Sequence, residues 1–265
     1  MNEVEYYNKA KEYLLSFENV TDEILEKQLK EWKKQKPQSM NELFKAFLVN
    51  VKNRQGMPNS IGDIDKLSKL LFDFNHIEVL NKYPTWELLF DAIEQSEYTP
   101  PGRMRKLNNK NYWVIYCKSI LSIASFLKPY KTVRDFQEFI DGFLTNEQSK
   151  LALPLLLAEE IFGFRFALAC DFIKENISAE FIKPDVHINK LAQDLDITQS
   201  TNNFHIFKDV LAYCDRINKL PYEVDKIFWL VGSGNFYLSD VKIKSSKKGF
   251  LEMLTSSKEE LEVAF

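Results

Sequence analysis

The chain has 265 residues, enough for one large domain or two small ones around a substantial core. Its 45% hydrophobic and 28% charged residues exclude a disordered or fibrous chain. A net charge of −3 excludes a uniformly cationic surface for nucleic acid, and three scattered cysteines (Cys117, Cys170, Cys214) exclude a disulfide framework or a Cys-x-x-Cys zinc site and indicate a reducing compartment.

With eight glycines, nine prolines and many helix formers, the expected fold class is all-α. In chain order, apolar spacing predicts helices over Tyr6 to Phe17 and Thr21 to Gln35, the second opened by the capping run Thr21-Asp22-Glu23-Ile24. Helices over Met40 to Val51, Ile61 to Phe74 and Thr85 to Glu94 follow. Pro100-Pro101-Gly102 breaks the pattern and is the best linear boundary, giving an N-terminal helical region 1–100 and a second region 101–265. Tyr112 to Leu127 is strongly apolar and reads as central to the core. Thr132 caps a helix to about Gly142, and further helices are expected over Phe204 to Arg216, Tyr222 to Gly232 and Gly249 to Glu262. The start Asn2-Glu3-Val4-Glu5 is acidic where a signal peptide needs positive charge, and the longest apolar run, Trp113 to Leu127, is too short to span a bilayer. A soluble, cytoplasmic protein with no membrane partner is expected.

The segment from Leu151 to Leu191 carries the chemistry. An apolar helix meets a tight turn, Ile161-Phe162-Gly163-Phe164-Arg165, and a second helix begins at Phe166. Two helices joined by a glycine turn expose backbone N–H groups beside a positive helix end, a combination that binds phosphate without reading sequence. Gly163 suits a position of positive φ or close phosphate approach. An extended loop, Phe181-Ile182-Lys183-Pro184-Asp185, follows; Pro184 drives Lys183 out of the helical region and leaves Asp185 as N-cap of a helix from Val186 to Leu195. An ordinary capping role and a catalytic one use the same geometry. Acid-free runs at Gly102 to Lys110 (Arg103, Arg105, Lys106, Lys110) and Val241 to Lys248, with five lysines against Glu31 over Lys27 to Lys36, permit a local basic face.

This pattern resembles the helix-hairpin-helix (HhH-GPD) DNA glycosylase superfamily, where a hairpin L-P-G-x-G-x-K/S/W-x-A precedes a loop ending in a lone aspartate, often as V-D-x-H. Gly163 matches the first hairpin glycine, Ala169 the small residue and Asp185 the aspartate, with His187 two residues later. Ala167 stands where some members carry a catalytic lysine, and 185 − 167 = 18 positions is the spacing the family shows. Pro221 to Gly232 is similar to a late family helix with the pattern V-D-x-x-x-W-L-x-x-G, packed behind the aspartate loop, although core packing explains Ile227, Phe228, Leu230 and Val231 equally well. Phe162 replaces the family proline and Arg165 the second glycine, so the hairpin is altered. The resemblance spans about Tyr112 to Tyr237 and leaves residues 1–98 without a role.

The resemblance implies two helical lobes with the hairpin at a cleft, and a monomer acting on double-stranded DNA. Gly163, Phe164, Arg165 and Phe166, with Arg103, Arg105 and Lys106, would bind DNA, and Asp185 would be the essential carboxylate. It would stabilise positive charge on the sugar as a flipped base leaves, and orient or deprotonate the attacking water. Ala167 cannot form a Schiff base, which implies a monofunctional glycosylase unless a lysine elsewhere, such as Lys190, substitutes. No metal or organic cofactor is implied beyond a monovalent cation at the hairpin, and the chain lacks the four cysteines of the members that hold an iron–sulfur cluster. Two alternatives stand beside this: an inactive helix-hairpin-helix DNA-binding module, and a helical protein-interaction domain.

Overall fold

The computed structural model describes residues 3–244 and 247–263 and is all-α, with fourteen α-helices among those residues. They are α1 (Glu3–Leu15), α2 (Asp22–Leu29), α3 (Met40–Lys52), α4 (Pro58–Ile61), α5 (His76–Lys82), α6 (Trp86–Glu94) and α7 (Tyr112–Leu127). There follow α8 (Val133–Phe143), α9 (Glu147–Glu160), α10 (Phe166–Asn176), α11 (Val186–Asp194), α12 (Asn203–Arg216), α13 (Pro221–Ser233) and α14 (Lys247–Val263). The two-residue strands β1 (Asn235–Phe236) and β2 (Val241–Lys242) pair antiparallel between α13 and α14. Among the described residues no helix is long and apolar enough to cross a membrane.

Local chemistry explains most helix starts. Thr21, Ser39, Asn75, Asn111, Thr132, Asn146, Asp185 and Asn202 each accept an amide N–H of the first turn that follows. Thr132 and Asp135 form a reciprocal capping box. Two expectations are corrected. The stretch Ile61 to Phe74 is not one helix: a 3-10 turn at Ile64–Leu67 gives way to three successive residues of positive φ, Phe72, Asp73 and Phe74, which no α-helix admits. The helix from Thr21 stops at Leu29 and relaxes into a 3-10 turn at Glu31–Lys33. Helix α5, opened by Asn75, and the small β-ladder went unread in the sequence.

The chain divides into two compact units, residues 1–35 with 173–265, and residues 36–172. The break at Pro100-Pro101-Gly102 therefore lies inside the second unit, where the Gly102 N–H donates to the Ser60 carbonyl (2.9 Å), and the division at 172/173 falls within α10. In the first unit α13 is the hub, packed by α1, α2, α11, α12 and α14. In the second, α7 packs against α3, α4, α5 and α6, as its apolar sequence predicts. All three cysteines are buried.

Candidate functional site

The hairpin turn belongs to the second unit and is built against α7. Gly163 has φ +90°, and a Cβ there would stand 2.1 Å from Ser119 Oγ, so both backbone conformation and space require glycine. The Phe162 N–H donates to Ser122 Oγ (2.8 Å) and the Phe164 N–H to the Ile161 carbonyl (3.1 Å). The Arg165 carbonyl accepts the N–H groups of Leu168 and Ala169, starting α10. Among the described residues the N–H groups of Gly163, Arg165 and Ala167 donate to no protein acceptor.

Of the four hairpin residues singled out in the sequence, Phe164 does a different job. Its ring is buried and packs on Phe47 and Phe172, with centroids 5.6 and 6.0 Å apart, and its amide is already used. Arg165 is exposed, Phe166 is half-buried, and Phe162 is half-exposed at the tip. Beside Arg165 stands a cation the sequence did not mark, Arg54, just beyond α3. Partial burial and then the charge of Arg165 hold its guanidinium below the usual arginine range. Among the described residues neither arginine has a carboxylate partner.

The loop 102–111 is pinned at several points. Asn111 Nδ2 donates to the Arg103 carbonyl (2.9 Å), the Asn108 N–H to the Arg105 carbonyl (3.1 Å), and Lys118 Nζ to Asn109 Oδ1 (3.4 Å). Lys106 is engaged with Asp91 at 2.5 Å, an acid that folding brings to a run acid-free in sequence. Arg103 and Arg105 remain exposed, and between Lys106 and Asn108 the Leu107 side chain is fully exposed.

Asp185 lies in the first unit, half-buried, as N-cap of α11. Its Oδ1 accepts the N–H groups of His187 (2.9 Å) and Ile188 (3.2 Å); among the described residues Oδ2 has no partner. The positive end of α11 thus faces one oxygen and leaves the other available. The loop before it is anchored from below: the Lys183 N–H donates to Asp225 Oδ1 (2.6 Å), and Lys174 Nζ reaches Asp225 Oδ2 (2.6 Å). Burial pushes the Asp225 carboxyl upward against the pull of Lys174 and Lys226. Glu175 accepts Lys226 (2.9 Å) and is flanked by Lys174 and Lys34; burial alone would raise its carboxyl, but these three ammonium groups hold it well below the carboxylate range. Lys226 also donates to the Tyr237 hydroxyl (2.8 Å).

This layout explains the late Val224-Asp225…Trp229-Leu230 pattern. Asp225 holds the loop, Trp229 meets the His187 ring edge-on at 6.2 Å, and Gly232 leaves room for His187, since a Cβ there would sit 2.8 Å from Nδ1. His187 is therefore a packing residue. The supporting ions Lys174, Glu175 and Lys226 went unread; their only signal was the adjacency of opposite charges inside strongly apolar helices. Lys190 is exposed on α11, and Ala167 is half-buried at the start of α10. Among the described residues no group of three or more His, Cys, Asp or Glu could hold a metal ion. No family model, curated protein or solved structure matches the chain.

Proposed function

We propose that the protein is a monofunctional DNA N-glycosylase, with Asp185 as its essential carboxylate. The observation that carries this reading is the seat of Asp185: one oxygen is fixed by two amides, the other is unengaged, and the loop is locked by a buried aspartate. A carboxylate held this way stabilises positive charge on a sugar as its base departs and orients water for attack at the anomeric carbon. The N–H groups of Gly163, Arg165 and Ala167, with Arg54 and Arg165, supply donors and charge for a backbone phosphate. Leu107, projecting from a pinned loop that carries Arg103 and Arg105, suits the stack left by an extruded nucleotide. Ala167 offers no amine, so the product is an abasic site in an intact strand.

The test is base release from duplex oligonucleotides carrying damaged, mismatched and modified bases, followed by heat and alkali. The wild type should release a base with strand breakage only after alkali, and Asp185→Asn should reduce release by about 100-fold or more. Strand cleavage without alkali overturns the role drawn from Ala167. Absence of release from the whole panel with DNA binding intact favours the non-catalytic module, which the second cation at Arg165 also suits.

A further inference from the structure

The lysines of Lys27 to Lys36 have no part in that reading, yet folding gives two of them a shared purpose. In the first unit α1, α2, the turn after α2 and the start of α13 with the turn before it line a half-open cavity of about 210 Å³. Taking ~30 Å³ per water, that is the volume of about seven waters, room for a small organic ion rather than a polymer. Its walls carry Lys11, Lys30, Lys33 and Lys219 against Glu26 and Glu223, a formal balance of 4 − 2 = +2.

The two acids do not use up the four ammonium groups. Glu26 is engaged by Lys30 at 2.9 Å and by Lys11 at 3.9 Å. Lys33 and Lys219 have no carboxylate partner among the described residues and lie instead over aromatic rings, Lys33 over Trp32 and Lys219 over Tyr7, each 5.3 Å from the centroid. Tyr7 is the second and independent sign. It is 3% exposed and lines the cavity, yet among the described residues its hydroxyl makes no hydrogen bond with the protein. The ring is packed away while the hydroxyl is open to the cavity, where it is available as a donor to an acceptor the protein itself does not supply. Burial, and then the charges of Glu223 and Glu26, keep that hydroxyl protonated and therefore a donor.

We propose that this cavity binds a small, multiply charged anion of the phosphate-ester or polycarboxylate class. Lys219 and Lys33 supply the charge, the Tyr7 hydroxyl donates a hydrogen bond, and Trp32 forms an aromatic wall. Lysine suits the task because an ammonium is a compact point charge that meets phosphate without demanding a planar fork. The assignment is independent of the glycosylase reading.

The test is isothermal titration of the full chain with pyrophosphate, inorganic phosphate and citrate at constant ionic strength. Saturable one-site binding of pyrophosphate marks the phosphate class, and of citrate the carboxylate class; either supports the site. Lys219→Ala should weaken binding about tenfold and Tyr7→Phe about fivefold, the loss of one charged and one neutral hydrogen bond. Glu223→Gln should tighten it about threefold by removing a like charge, a gain that no folding defect imitates. Lys118→Ala, on α7 of the other unit, should leave it unchanged. The proposal is overturned by no saturable binding of the three anions, or by affinities indifferent to Lys219, Tyr7 and Glu223. It is equally overturned if short duplex DNA displaces the anion and Lys219→Ala weakens DNA to the same degree. Base release by Lys219→Ala should match the wild type, so failure here leaves the glycosylase reading untouched.

Discussion

At the centre of the first unit Lys174 and Asp225 meet at 2.6 Å with side chains 4% and 2% exposed, whereas the second unit centres on Phe47 stacked on Phe172, ring centroids 3.7 Å apart. Around the aromatic pair stand Phe136, Phe126 and Phe164, all in contact with Phe47. The first unit surrounds its ion pair with Glu175, Lys226, Tyr222 and Tyr237. An apolar core responds in proportion to the volume removed, because dispersion and transfer energies are summed over many weak contacts. A buried ionic core is close to all-or-none, since removing one partner leaves an uncompensated charge. The difference tracks position: directional bonds sit beneath the Asp185 loop, where one main-chain amide must be held, and bulk packing sits beneath the hairpin, where a glycine and two serines of α7 set the geometry.

The largest test of this contrast is Asp225→Asn, expected to destabilise by about 3 kcal/mol because Lys174 loses its nearer counter-charge and keeps only Glu175 at 3.4 Å. Replacing the pair together, Lys174→Met with Asp225→Leu, should cost less than that single change, with the Lys183 amide left unsatisfied as the remaining penalty. Denaturation of the three proteins side by side decides it; equal losses would mean the ion pair is not the organising element. Next in size is Gly163→Ala, about 2–3 kcal/mol from a φ of +90° and a Cβ 2.1 Å from Ser119 Oγ. Hydrogen exchange should place that loss in α7 and α9.

Phe47→Leu, which keeps most of the apolar volume, should cost only about 1–1.5 kcal/mol, the graded response expected of an aromatic core. A loss as large as that of Asp225→Asn would erase the distinction between the two centres. The smallest effect is set by pH. The Glu175 carboxyl is depressed in the folded state, so its contribution is present above the ordinary carboxylate value of 4.5 and is lost as pH falls below it. Amides of α13 should therefore lose exchange protection on acidification before those of α7, and Glu175→Gln should flatten that dependence.

How much was legible follows from which interactions are local. The capped starts at Thr21, Thr132 and Asp185 and the helix of α7 rest on bonds a few residues apart, and each stands where the sequence put it; the glycine turn at Gly163 stands there too, although Ser119 and Ser122 of α7 set its geometry. The stretch from Ile61 to Phe74 misled because its apolar spacing imitates a helix, while Phe72, Asp73 and Phe74 adopt positive φ in a turn fixed by bonds such as Ser68 Oγ to Asp73 Oδ1 (2.6 Å).

By itself, then, the sequence determined the all-α class, the hairpin glycine, and Asp185 as the cap of a helix behind an extended loop. Tertiary structure decided that residues 1–35 join 173–265, that Asp225 reaches Lys183 across 42 positions, and that Lys106 is neutralised by Asp91. It also placed Arg54 beside Arg165 and set Tyr7 among lysines drawn from opposite ends of the chain. The physical reason is that caps and turns are satisfied within one helical turn, whereas charges buried from water find partners only where the packed helices bring them.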